Sequence, residues 1–310
     1  MTTQANTITT TTAATAATAG ASAAVAVAVA AATSVPAALA PIASAPPALV
    51  PIASAPTATT TTLRQTAATV RAGLSGNALK IIAIVAMTCD HLAWLIFPGF
   101  STHPIALSMH VVGRLTAPIM MYFIAQGYYH TRDVKRYVAR LLAFALLAQL
   151  PYSLLFGDTF TFPFGGLNVM WTFAMGLTAL AIYKSDNPRL RPWMKQILVW
   201  ACLFAAFPGD WSMPGAVAIL YMGRNHGNFK RQMLFLMLWM ACYALVYALA
   251  IDPLYGCLQL LVCLAIPLLA CYNGQRGAFS SGTAGKVMKW LFYIYYPAHL
   301  LLLSLVKLLG

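Results

Sequence analysis

Five polar side chains sit inside apolar stretches of this 310-residue chain: Asp90 and His91 in CDHLAW, Arg114 in HVVGRLTAP, Gln149 in LAQLPY and His299 in YPAHL. A histidine beside an aspartate suits proton transfer, because imidazole titrates near neutrality and can serve as a general base. A guanidinium deep in an apolar segment costs several kcal/mol unless it is paired. Asp90 is the one acid inside any apolar segment and is therefore its expected partner. Asp90 and His91 are consecutive, so on a helix they point about 100° apart. They cannot then act as a dyad with each other; one is expected to hold Arg114 while the other faces a reactant.

The elements that must position these residues follow from composition. Hydrophobic residues make up 60% of the chain and charged residues 8%, far below the charge that a soluble domain needs to cover itself in water. The net charge of +13 is spread too thinly for a basic face along a phosphate backbone, which excludes nucleic acid as a partner. Residues 1–72 are rich in Ala, Thr, Ser and Pro, have no charge before Arg64, and repeat PIASAP at 41–46 and 51–56. They are expected to form a disordered tail. The AAVAVAVAAA stretch at 23–32 lacks the preceding Lys or Arg of a signal peptide and is too short to span. The six cysteines lie in apolar runs without C-x-x-C spacing and read as packing residues, with no metal expected.

From residue 73 the expectation is an all-α, polytopic integral membrane helix bundle. Crossing a hydrocarbon core takes about 20 helical residues. About nine apolar segments approach that length: 79–97, 105–129, 137–156, 167–183, 193–207, 212–222, 231–250, 255–272 and 287–309. The fifth and sixth are short and read either as two tilted spans or as one re-entrant pair. Seventeen of the nineteen basic residues fall in alternate loops, while the intervening loops hold none and three of them carry Asp158, Asp210 and Asp252. Because basic residues collect on the cytoplasmic side, this alternation predicts nine spans with the N-terminus inside. Lys307, near a helix end, is expected to snorkel to the interface. At a rise of about 1.5 Å per residue, Asp90, His91, Gln149 and His299 come about 17–18 Å from the inner face and Arg114 about 22 Å. The polar residues thus share one layer, with Asn168 and Trp171 at its border. Such a layer is either a set of hydrogen bonds tying helices together or a site, and buried ionisable groups favour a site.

LSGNALKIIAIVAMTCDHLAW at 74–94, VGRLTAPIMMYFIAQGYYHTRDVKRYVARLLAFALLAQLPY at 112–152 and YIYYPAHLLLL at 293–303 resemble the TraX family of conjugal-transfer and fimbrial assembly membrane proteins. The resemblance covers about 73–310, and the second-span motif GRLTAP lacks the aromatic that the family more often places before the proline. It implies a bacterial inner-membrane (cytoplasmic membrane) enzyme that moves an acetyl group from acetyl-CoA to the N-terminal amine of a pilin or fimbrial subunit. Carried over by position, the matched polar residues are Asn77, Asp90, His91, Arg114, Gln149, Tyr296 and His299. The implied catalytic set is Asp90, His91, Arg114 and His299, with Asn77, Gln149, Tyr296 and Asn168 binding substrate. His91 or His299 would remove the amine proton, and Arg114, helped by Tyr296, would stabilise the oxyanion.

Three rival readings use the same residues. An acyltransferase acting on a cell-surface glycan or lipid would need the same polar layer. A transporter would carry an internal repeat with broken helices in matching halves, and no such repeat is found. A non-enzymatic assembly factor would tolerate apolar replacement of Asp90, His91 and Arg114 as a set.

Overall fold

Backbone polar groups have no water to bond in hydrocarbon, so a chain this apolar must close its hydrogen bonds within helices. In the computed structural model, residues 73–156, 166–277 and 282–309 are described, and they contain helices and no strand. The tail expected over 1–72, and the loop containing Asp158, lie outside the described residues. The helices are α1 (Gly76–Ile96), α2 (Pro104–Gly113), α3 (Thr116–His130), α4 (Val134–Phe156), α5 (Val169–Tyr183) and α6 (Pro192–Ala205). They continue with α7 (Ser212–Arg224), α8 (Phe229–Ala250), α9 (Pro253–Leu260), α10 (Ala265–Ala270) and α11 (Gly282–Leu309).

Among the described residues, six units are long and apolar enough to cross a membrane: α1, α2 with α3, α4, α8, α9 with α10, and α11. Leu146, Leu150 and Leu249 are 80%, 63% and 74% exposed, a surface that suits lipid and not water. The chain is therefore a multi-pass membrane protein. The remaining helices are shorter, at 15, 14 and 13 residues for α5, α6 and α7. Ten of the thirteen residues of α7 are buried, so protein and not lipid surrounds this helix. Its small residues permit close packing: Gly215 meets Thr172, and Gly223 accommodates the Leu180 side chain. This constant offset makes α5 and α7 parallel. The indole of Trp171 donates to the Ala205 carbonyl, placing the end of α6 beside the start of α5, so α6 returns between them.

Two interruptions place the site. The second apolar segment breaks at Arg114–Leu115, four residues before Pro118, which has no N–H to close the bond to the Arg114 carbonyl. The penultimate segment relaxes into a 3₁₀ turn at Leu261–Leu264, just ahead of Pro267. The start of α1 is closed by three bonds. Ser75 Oγ accepts from the Ala78 N–H, while Gly76 and Asn77 donate to the carbonyls of Gln275 and Arg276. The Leu-Ser-Gly-Asn segment thereby docks the loop after α10 onto the entry of the bundle.

Candidate functional site

The site grows from one stretch of α1, residues 88–94. As the helical angle requires, Asp90 turns toward α2 and His91 toward α11. Gly113 makes the first approach possible, since a Cβ there would collide with the Asp90 carboxylate. Asp90 Oδ1 accepts from Arg114 Nη2 at 3.0 Å, the partner expected from the sequence, and from His110 Nδ1 at 2.9 Å. Arg114 also donates through Nη1 to Gln259 Oε1 at 2.7 Å and through Nε to the His110 carbonyl. Its guanidinium lies 5.4 Å from the Trp211 ring centroid. Three of the five N–H donors of the guanidinium are thus engaged by described residues.

Trp211 is held under strain. It and Ser212 have φ of 62° and 46°, a left-handed conformation that costs a bulky residue on the order of 1–3 kcal/mol. The compensating contacts are the Trp211 N–H donated to Asp210 Oδ1 at 2.9 Å, the guanidinium over its ring, and Tyr243 stacked on it at 5.3 Å.

The second approach joins two imidazoles. His91 Nδ1 and His299 Nε2 are 2.8 Å apart, and His299 Nδ1 lies 2.9 Å from the Tyr295 carbonyl of its own helix. The rings are nearly parallel at 8° with centroids 5.0 Å apart; with nitrogens this close, they meet edge to edge through a hydrogen bond. A carbonyl only accepts, so His299 Nδ1 carries hydrogen, and in a neutral ring its Nε2 must then accept. Donation in the reverse direction would need a charged His299, which is only 6% exposed. His91 therefore donates from Nδ1 and keeps the lone pair on Nε2. The Tyr295 hydroxyl meets Thr88 Oγ1 at 2.7 Å, and the paired contacts 88 with 295 and 91 with 299 make α1 and α11 parallel.

Asp90, His91, Arg114 and Tyr296 all line one cavity of about 560 Å³, whose wall also includes Trp94, Asp210, Tyr243 and Tyr255. This size is ordinary for a small-molecule site. Asp210 is in the loop between α6 and α7, where burial pushes its carboxyl up to about 6 against the opposing pull of Arg114. Lys307 also reaches this wall. Its ammonium caps the carbonyls of Leu154 and Leu155 at the end of α4.

The remaining residues singled out from the sequence lie elsewhere. His299 stands behind His91. Gln149 and Asn168 form a clasp: Gln149 Oε1 accepts from both Asn168 nitrogens, its Nε2 donates to the Gly166 carbonyl, and Asn168 caps α5 and donates to the Ala145 carbonyl. Asn77 lines a different cavity, at the other end of α1. Sequence reasoning missed His110, although it lies four residues before Arg114 and so on the same helical face. It also missed Gln259, Asp210 and the tyrosines of α8 and α9.

The family model for the TraX protein matches residues 75–307. The chain belongs to the TraX family. It is 33% identical over 249 residues to a probable fimbrial assembly protein FimC, serogroup H1, of Dichelobacter nodosus, covering 76% of this chain and 96% of that protein. No solved structure matches the chain.

Proposed function

We propose that this TraX-family protein acts in pilus or fimbrial assembly as an acetyltransferase of the bacterial inner membrane, moving the acetyl group of acetyl-CoA to the N-terminal amine of a pilin subunit. The observation that carries this reading is the lone pair of His91 Nε2 on the wall that also holds the Arg114 guanidinium. An α-amine has a pKa of about 7.7–8.0, so an unprotonated fraction is present at neutral pH. Its nitrogen attacks the thioester carbonyl carbon, forming the N–C bond. His91 Nε2 takes the proton that the nitrogen sheds. As the C–S bond breaks, the sulfur leaves with its electron pair and receives that proton, giving an N-acetyl amide and free CoA thiol.

His299 and the Tyr295 carbonyl position His91 and hold its tautomer. Arg114, fixed by Asp90 and Gln259, faces the oxyanion, where a preorganised donor is worth most because no reorganisation is needed. Tyr296 is a second donor on this wall.

Nine crossings with the N-terminus in the cytoplasm suit this chemistry. The parallel run of α1 and α11 supports an odd number of crossings, and the enclosure of α7 removes the need for its length to match the lipid. The reactive cavity, bordered by Pro98, Phe156 and Lys307 at the ends of α1, α4 and α11, then faces the outer side where a processed pilin presents its new N-terminus. Intact mass of the mature pilin, from cells with and without this gene, tests the proposal. One acetyl group on the N-terminus only when the gene is present supports it; identical masses overturn it.

A further inference from the structure

A second cavity, of about 380 Å³, lies at the opposite end of α1. The two cavities share Met120, Met170, Phe173 and Phe292 in their walls, so these four side chains border both. Lys80, Arg140, Arg276 and Lys289 converge on the second cavity, and among the described residues lining it there is no Asp or Glu. Topology accounts for basic residues at this end of the bundle. It does not account for their being gathered around a hollow.

Lys80 Nζ lies 5.1 Å from the Phe123 ring centroid and 5.2 Å from that of Phe292, while Arg140 lies over Tyr137 and Tyr293 at 5.6 and 5.9 Å. Among the described residues the buried Nε of Arg140 has no hydrogen-bond partner. Lys80 and Arg276 are close enough to repel each other, and Arg276 is held there because its carbonyl accepts the Asn77 N–H at the start of α1. Lys80 and Arg140 are half-buried with no acid among the described residues lining this cavity, and a multiply charged anion offsets the cost of holding such cations there. Arg and Lys together suit phosphate, Arg through its planar fork and Lys as a point charge.

We propose that this basic cavity receives the phosphate-bearing nucleotide of the acyl-CoA donor, and that the narrow pantetheine arm passes between Met120, Met170, Phe173 and Phe292 to bring the thioester to His91. The proposal rests on the acetyl-transfer reading above. Methionine suits such a passage, because an unbranched thioether chain with three rotatable bonds can part and close again. The arrangement also resolves a difficulty of side: the donor is cytosolic, the acceptor amine is outside, and the two cavities open at opposite ends of the bundle. An anionic lipid headgroup offers the same phosphate chemistry. A coenzyme is favoured because the second cavity abuts the reactive one, so a single extended ligand reaches both.

The test is CoA binding by calorimetry to the full-length protein in phosphatidylcholine nanodiscs. Arg140→Ala weakens CoA at least tenfold. So does Arg276→Ala with Lys289→Ala, a pair of exposed residues whose loss spares the packing. CoA without its 3′-phosphate binds more weakly than CoA, and His91→Ala keeps full CoA affinity. Unchanged CoA affinity in both basic variants, with acetyl transfer intact, places the donor elsewhere and overturns the proposal while the transfer reading survives. Phosphatidylglycerol binding that Arg276→Ala with Lys289→Ala removes, with CoA affinity unaltered, assigns the cavity to a lipid headgroup and also overturns it. A wild-type protein that neither binds CoA nor transfers acetyl removes the transfer reading as well.

Discussion

Replacing Asp90 and Arg114 singly and together separates a buried ion pair that only ties helices from one that serves chemistry. Asp90→Leu leaves the Arg114 guanidinium, 6% exposed, with the neutral Gln259 as its remaining side-chain acceptor. Stripping one partner from a buried pair costs about 3–5 kcal/mol. Arg114→Met leaves Asp90 still accepting from His110 Nδ1, so its cost is smaller, about 1–3 kcal/mol. The double variant removes both charges and leaves two neutral orphans, His110 Nδ1–H and Gln259 Oε1, at a combined cost of roughly 1–3 kcal/mol. The sum of the single effects then exceeds the double by about 3–5 kcal/mol. Denaturant unfolding of the detergent-solubilised protein measures all three. Additive effects would mean that the two charges are solvated independently and form no buried pair. Acetylation is expected to be lost in every variant, including the well-folded double one; a pair needed only for assembly would leave the double variant working.

His299→Leu orphans the Nδ1–H of His91 and frees its ring to turn, lowering transfer about 10–100-fold, and His299→Gln restores part of this by offering an acceptor at the same reach; equal rates for the two would remove the positioning role. Gly113→Ala sets a methyl against the Asp90 carboxylate, so it should lower thermal stability and transfer together, and a neutral result would mean that α1 and α2 can slide apart freely. The Asp210 carboxyl rises from 3.8 when unfolded to about 6 when folded, so its contribution is full below pH 4 and is lost as the pH rises through 6. Asp210→Asn should therefore stabilise the protein at pH 8, by on the order of 2 kcal/mol for a side chain only partly enclosed, and leave stability at pH 4 unchanged. Melting curves at the two pH values decide it, and equal shifts at both would contradict the assigned cause.

Depth along a helix is legible in a sequence because the rise per residue is fixed, and it brought Asp90, His91, Arg114 and His299 to one level. Rotation about the helix axis is not fixed in that way. Gln149 was expected in the site by its depth, yet it faces Asn168 and is used up in holding α4 to α5. Asn77 was carried over from a family motif, and its helix start faces the basic cavity at the far end of α1. His110 was legible from its spacing to Arg114, but Gln259 was not, because nothing local to α9 reveals which helix it will meet. The short helices show the same limit. Length and hydropathy suit lipid-facing spans, whereas α7 is enclosed by protein and escapes that requirement.

Transfer across a sealed membrane is the decisive assay for a catalytic His91. The protein is reconstituted into liposomes, acetyl-labelled CoA is supplied on the side of the basic cavity, and a peptide with the pilin N-terminus on the other. Label should pass to the α-amine of the peptide with the wild-type protein and fall to background with His91→Ala. Equal labelling by His91→Ala, or none by the wild type, would mean that this cavity does not carry out acetyl transfer through His91.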